Sequence, residues 1–291
     1  MHLPSPRRPL RASRIGDPAR RPVALIGEGG EARIHSVFRS AINIQTGASL
    51  LALVPDTVGG LPNGILLDEA TPLPDLRRVG VRPGALVTVL RDVLAVPSAR
   101  FSVDLGTART WSPRLPAHDG SGWPRRSTLA WCLARKRSAA GGIESLSIAR
   151  ARAAALSAAV GAGDHPGASA AARTLIGLGP GLTPSGDDVL AGVEAALRAL
   201  RHPVAGFLAG ALDDIGDRTT SVSAALLRHA ADGEFAERIA TVVAALLSGS
   251  ERDLPDALDR AAAWGATSGS DTLFGILVGL DAATVAQRVA A

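Results

Sequence analysis

The sequence predicts an α+β protein, with a small N-terminal β-barrel or sandwich-like domain followed by a C-terminal α-helical domain. Three observations carry this reading. Short apolar runs broken by Gly, Pro, Asn and Asp fill the first ~115 residues, the pattern of many short strands joined by tight turns. From Ser145 onward alanine dominates and apolar residues recur at helical spacing. Between these regions, Ser112 to Ser127 is rich in Pro, Ser, Gly and Arg.

The elements follow in order. Residues 1–22 carry many Arg and Pro residues and are expected as a flexible N-terminus. The β-rich domain spans 23–115, with strands expected at Val23–Ile26, Ile34–Phe38, Leu50–Val54, Gly64–Leu67, Leu86–Leu90 and Phe101–Asp104. Turns fall at Gly27–Gly30, Pro55–Gly60, Pro62–Gly64 and Arg82–Gly84. Residues 116–144 read as a linker or surface loop, and 145–291 as the helical domain. Val189, Val193, Ala196, Leu197 and Leu200 mark one helix, stopped by His202 and Pro203. Val222, Ala225, Leu226 and His229 mark a second, and Phe235, Ile239, Val242, Val243, Leu246 and Leu247 a third.

Composition excludes several classes of function. No apolar run reaches the ~20 residues of a membrane span, and the Arg7–Arg8 pair has no apolar region behind it. A cytoplasmic protein is expected. The single cysteine, Cys132, cannot form an intramolecular disulfide and fits a reducing compartment. The isoelectric point of about 10.6 overstates the basic character, because the net charge is only +4. Nearly all the cations are arginines, and arginine does not titrate near neutrality. Arg125, Arg126, Arg135, Lys136 and Arg137 form one basic cluster, read as a solvated face. Aromatic content of 3% leaves few platforms for stacking bases. Nucleic acid is not expected as a partner.

The chemistry concentrates in the segment from Gly177 to Asp188, GLGPGLTPSGDD. Its glycines Gly177, Gly179, Gly181 and Gly186 permit tight turns and close approach to a ligand. Thr183 and Ser185 supply hydroxyls. The helix expected to follow brings unpaired N–H groups and a positive dipole end, a combination suited to a small anion. Pro180 and Pro184 interrupt the segment and set it apart from the dinucleotide fingerprint. It also lacks the Gly-Lys-Ser/Thr end of a P-loop. The pattern S-G-x-D-x-L-x-G that begins at Ser185 returns at Ser268, with Gly269, Asp271 and Gly275 in register. Two helix starts side by side would present Ser185, Gly186, Ser268 and Gly269 to one ligand. Ordinary N-caps are the simpler account of the same residues.

Asp187 and Asp188 are adjacent and point about 100° apart on a helix. Cap, substrate holder and Mg²⁺ ligand all remain open for them. Asp213, Asp214 and Asp217 read as a solvated helix end. Ser221 and Ser223 at a helix start, followed by Arg228 and His229, read equally as pocket residues or as a cap with a core-edge histidine. His35 and Asn43 flank apolar strands and would reach a domain interface.

On these residues the chain resembles the AllH family. The resemblance rests on the Gly177–Asp188 loop, His35 and Ser36, Ser221–Gly233, and Ser268–Asp271. Family members often carry a histidine after the glycine that opens the last motif; here Ala266 follows Gly265. The resemblance implies a subunit of oxamate carbamoyltransferase, a transferase of allantoin degradation and purine catabolism. That enzyme interconverts oxalurate plus phosphate with oxamate plus carbamoyl phosphate. Partner subunits related to acyl-CoA synthetases would complete it. The expected site then comprises Ser185, Asp187 and Asp188 as catalytic residues. Gly179, Gly181, Thr183, Gly186, Ser221, Ser268, Gly269, Asp271 and His35 would bind substrate. A stand-alone Mg²⁺-dependent hydrolase using Asp187, Asp188 and Asp271, and a non-catalytic assembly or regulatory subunit, are the competing readings.

Overall fold

The fold comes from a computed structural model that describes residues 9–68, 75–118, 123, 127, 130–131, 147–248 and 252–290. The chain divides into two compact units, Met1–Pro113 and Arg114–Ala291.

The first unit is a nearly closed β-barrel. Its strands are β1 (Leu10–Gly16), β2 (Ala32–Val37), β3 (Ile42–Thr46), β4 (Ser49–Pro55), β5 (Gly64–Leu67), β6 (Thr88–Leu90), β7 (Val93–Val96), β8 (Phe101–Asp104) and β9 (Arg109–Trp111). They form one sheet in the order β2-β3-β4-β5-β1-β8-β7-β6, with β9 beside β1. The two ends of this path meet. The Ile34 N–H donates to the Ala85 carbonyl at 2.9 Å, and Val87 N–H to Ala32 at 2.9 Å, so the chain leading into β6 lies along β2. Closure removes the open edges that an isolated sheet exposes. Inward residues such as Ile34, Ile44, Leu51, Leu53, Ile65, Leu94 and Val103 fill the interior.

Two expectations for this unit are corrected. Residues 10–22, expected to be flexible, form β1 and the start of a helix, α1 (Asp17–Gly27). Val23–Ile26, expected as a strand, is the second half of α1. Ala19, Val23 and Ile26 are spaced four and three apart, so they share one helix face, and Ala19 and Ile26 are buried. Pro18 stands in the first turn, where its missing N–H costs nothing. Strands β3, β7 and β9 lie where the sequence predicts no strand, while β5 and β8 coincide with their expected spans.

The second unit is helical: α2 (Ser147–Gly161), α3 (His165–Leu175), α4 (Ser185–Ala199), α5 (Phe207–Leu212), α6 (Ser221–Ala231), α7 (Glu237–Leu247), α8 (Leu254–Ala262) and α9 (Ser268–Ala290). Helix α4 is its centre. It packs most extensively on α9 and also meets α3, α5, α6 and α7. Thirteen of the fifteen residues of α4 are buried. That includes Glu194, whose Oε1 accepts from Arg198 Nε and from the Gly206 N–H, both at 2.6 Å.

The 116–144 stretch, expected as a linker or surface loop, is described only in part. Trp123, Ser127, Ala130 and Trp131 within it are helical, and Trp123 and Ala130 are buried. The Trp123 and Trp131 indole N–H groups donate to the two carboxylate oxygens of Asp281 on α9, at 3.0 and 2.7 Å. These two side chains therefore belong to the helical core. Cys132 and the basic cluster Arg125, Arg126, Arg135, Lys136 and Arg137 lie outside the described residues. No helix among the described residues is long and apolar enough to cross a membrane.

Candidate functional site

The two S-G-x-D-x-L-x-G segments form the starts of α4 and α9, and these starts stand side by side. Glycine brings the helices into backbone contact. A Cβ on Gly192 would lie 2.2 Å from the Thr272 carbonyl oxygen, and one on Gly275 would lie 2.1 Å from that of Val189. Val189 and Thr272 occupy equivalent positions in the two segments, so the contacts are reciprocal. One turn further on, a Cβ on Gly279 would lie 3.1 Å from the Val193 oxygen and 2.8 Å from Ala196 Cβ. Position advances along both helices together, so they run parallel and are related by a local two-fold axis. The preceding turns are built alike. A Cβ on Gly186 would lie 2.0 Å from the Leu175 oxygen at the end of α3, and one on Gly269 would lie 2.0 Å from the Ala261 oxygen near the end of α8.

The loop before α4 folds over this junction. Gly177, Gly179 and Gly181 all have positive φ, at 74°, 108° and 108°, a region that favours glycine. Gly177 also passes so close to Arg218 that a Cβ would overlap its carbonyl oxygen at 1.8 Å. From the loop, Thr183 Oγ1 reaches Ser268 Oγ at 2.8 Å and joins the two helix starts. The Thr220 hydroxyl donates to the Leu182 carbonyl at 2.5 Å and accepts from Ser223 N–H at 3.0 Å, so it both caps α6 and holds the loop.

The two adjacent aspartates have different surroundings. Asp187 is 2% exposed, and both its oxygens are engaged. Oδ1 accepts from the Gly177 N–H at 2.8 Å, while Oδ2 accepts from Ser223 Oγ at 2.6 Å and from the Thr219 hydroxyl. Burial raises its pKa, and these three donors oppose the rise. Asp187 thus ties the loop, α4 and α6 together. Asp188, 8% exposed, turns to the α9 side, and its Oδ2 accepts no hydrogen bond. Burial is the main reason its pKa is pushed up to about 8. The Ser268 and Thr183 hydroxyls hold it down, and the carboxyls of Asp271 and Asp187 raise it further. Asp271, 2% exposed, is the equivalent of Asp188 in the second segment.

The helix starts offer fewer open N–H groups than the sequence suggests. Gly186 N–H donates to the Leu178 carbonyl at 2.8 Å, and Asp187 and Asp188 N–H turn back to Pro184 at 2.9 and 3.2 Å. On α9, Gly269 N–H donates to Trp264 at 2.8 Å and Asp271 N–H to Thr267 at 3.0 Å. Local turn bonds satisfy these donors. The polar side chains at the junction are the hydroxyls of Thr183, Ser185 and Ser268 and the carboxyls of Asp188 and Asp271. No group of three or more His, Cys, Asp or Glu at metal-holding spacing occurs among the described residues.

Of the expected site residues, Gly179, Gly181, Thr183, Ser185, Gly186, Asp187, Asp188, Ser268, Gly269 and Asp271 fall in this one region. Ser221 is exposed at the first position of α6. The hydroxyls that engage the loop and Asp187 are those of Thr219, Thr220 and Ser223. Their signal was the run of hydroxyl residues itself, whose orientation the sequence left open. His229 pairs with Glu234 at 2.8 Å as a local contact, and Arg228, Asp213, Asp214 and Asp217 are exposed. His35 belongs to the first unit, exposed on β2 with Nδ1 at 3.1 Å from Ser36 Oγ.

Two family models match the chain. The model described as oxamate carbamoyltransferase subunit AllH matches residues 175–280, and that of the AllH family N-terminal domain matches residues 12–110. No solved structure shows a significant match.

Proposed function

The chain belongs to the AllH family, and from that premise we propose that it is a carbamoyltransferase subunit that binds a small amide-bearing anion at the paired starts of α4 and α9. Carbamoyl phosphate and oxamate both have an amide N–H end and an anionic end. The observation that carries the reading is the junction itself, where three hydroxyls and two buried carboxyls meet at the positive ends of two parallel helices. The unfilled acceptor on Asp188 Oδ2 suits an amide N–H. The hydroxyls of Thr183, Ser185 and Ser268 suit phosphate or carboxylate oxygens, and both helix dipoles favour negative charge there. Oxyanion stabilisation during attack on the carbamoyl carbon would draw on the same donors. Partner subunits, of the kind the acyl-CoA-synthetase relationship implies, complete the enzyme.

Calorimetric titration of the purified chain with oxamate and with carbamoyl phosphate tests the site. Ser185→Ala and Ser268→Ala are each expected to weaken binding about tenfold, the equivalent of one lost hydrogen bond to a charged group. Unchanged affinity in both variants removes the site from this position.

A further inference from the structure

The junction lies beneath the loop that precedes α4. Ser185 is buried, and Asp188 Oδ2, the unfilled acceptor, is out of reach of solvent. A ligand cannot arrive there while the loop keeps this position. Gly179 lies over Ser185, where a Cβ on the glycine would stand 3.1 Å from the Ser185 nitrogen and 3.3 Å from its Oγ. Thr183 Oγ1 is 2.8 Å from Ser268 Oγ, and both hydroxyls hydrogen-bond the Asp188 carboxyl.

The base and the tip of this loop are held differently. At the base, Leu178 N–H donates to the Leu175 carbonyl at 3.0 Å, and the Leu178 carbonyl accepts from Gly186 N–H at 2.8 Å. Gly177 N–H is fixed to Asp187 at 2.8 Å. Among the described residues, no backbone–backbone hydrogen bond holds Gly179 to Thr183. Hydroxyls hold them instead, through Thr220 on the Leu182 carbonyl at 2.5 Å and Thr183 on Ser268. Pro180, Gly181 and Leu182 are exposed, so the tip can swing outward without breaking core packing. The glycines on either side of Pro180 give it the backbone freedom to do so.

We propose that Gly179–Thr183 is a lid that lifts to admit the ligand to Asp188 and is fastened in its closed position by the Thr220 hydroxyl. The inference rests on the ligand reading above for what the lid admits. Carbamoyl phosphate is a mixed anhydride, and water competes with the oxamate amide for its carbamoyl carbon. A closed lid shuts that water out. Thr183 travels with the lid, so closure also delivers one of the three hydroxyls of the site.

The experiment is thiol trapping on the full chain in a Cys132→Ser background. Ser185→Cys places a thiol beneath the lid. Ala195→Cys, on the same helix and fully buried, reports wider opening of the second unit. The thiol at 185 should react at least about tenfold faster than that at 195, because a local opening costs less than a global one, and far slower than an exposed thiol. Thr220→Val should raise the rate at 185 about tenfold, the loss of one hydrogen bond, and Thr220→Ser should restore it. Thr220 also caps α6, so Gly181→Ala provides an independent route. A Cβ at 181 has room, with Thr183 O at 3.8 Å, but the φ of 108° strains any other residue in the closed lid. It too should speed trapping at 185 and leave 195 unchanged. Equal rates at 185 and 195, reaction at 185 as fast as at an exposed thiol, or a rate at 185 unmoved by both lid variants overturns the lid. Calorimetric titration of the unaltered chain with oxamate and carbamoyl phosphate separates the two readings. Lid variants that respond without ligand binding leave the lid standing and remove the substrate assignment. Ligand binding with trapping unmoved by the lid variants does the reverse.

Discussion

The start of α4 and the start of α9 share a pattern and differ at three of its eight positions, Asp187/Ser270, Val189/Thr272 and Ala191/Phe274. Ser185, Gly186, Asp188, Leu190 and Gly192 match Ser268, Gly269, Asp271, Leu273 and Gly275, while Asp187 is matched by Ser270. The matched glycines and acids lie on the faces the two helices share. Asp187 faces elsewhere, toward the loop and α6, where it accepts from three donors. The serine, glycines and aspartate of the pattern are retained in both copies; Val189 and Thr272 meet the partner helix through carbonyl oxygens, which any side chain leaves in place, and Asp187, whose bonds serve the loop and α6, is replaced by Ser270. A local two-fold constrains the contacts it generates and leaves the others free.

The largest expected effect is at the reciprocal glycines. Gly192→Val and Gly275→Val should each destabilise the second unit by about 3 kcal/mol or more, since the new side chain meets a backbone carbonyl that cannot turn aside. Urea unfolding of the two variants should give similar losses. A large loss at one position and little at the other would break the two-fold comparison. Next comes Asp187→Ala, which strands the Gly177 N–H and the Thr219 and Ser223 hydroxyls. We expect about 2–3 kcal/mol of lost stability, against less than about 0.5 kcal/mol for Ser270→Ala, the ordinary cost of a change that breaks no buried network. Equal losses would mean that the divergent position is not a latch.

The smallest effect, taken per pH unit, is a slope with pH. The folded-state pKa of Asp188 is raised above its unfolded value, so the native state binds the proton more tightly. Its contribution to stability is fully present below about 4, the ordinary carboxylate value. It is lost as pH rises toward about 8, at no more than about 1.4 kcal/mol per pH unit. Burial shifts Asp187 in the same direction. In the first unit, Asp75 and Asp56 are shifted the opposite way, and their contributions are lost only on acidification below the ordinary carboxylate range. Unfolding midpoints of the wild type should therefore fall from pH 5 to pH 8, and Asp188→Asn should flatten that fall. An equally steep profile in the variant would place the titrating group elsewhere.

Much of the fold could be read from local pattern, and the misreadings have local causes. Strands β5 and β8 and the helices α4, α6 and α7 stood out because their periodicity is uninterrupted. Helix α1 was hidden by Pro18 and Pro22 and by its arginines, which obscured the face made by Ala19, Val23 and Ile26. Trp123 and Trp131 lie in a stretch whose Pro, Ser and Gly content suggests a loop, and only their bonds to Asp281 reveal them as part of the core. In the site, the repeated pattern located both helix starts without any coordinates. Their open N–H groups were overestimated because the turns that consume them, such as Gly186 to Leu178, depend on the path of the loop.

The sequence by itself determined that two glycine-marked helices begin with a shared Ser-Gly-x-Asp pattern, because capping preference and helical spacing act within a few residues. Gly192 and Gly275, with no side chain, permit close helix packing; that the two helices meet there, and again at Gly279, is decided by the fold. Only the tertiary structure decided what each acid does. Asp187 and Asp188 are neighbours with the same chemistry, and the turn of the helix sends one to Thr219 and Ser223 and the other to Ser268 and Asp271. Those partners lie from 32 to 83 residues away in the chain. Local propensity does not act over that distance, and only the folded packing brings the groups together.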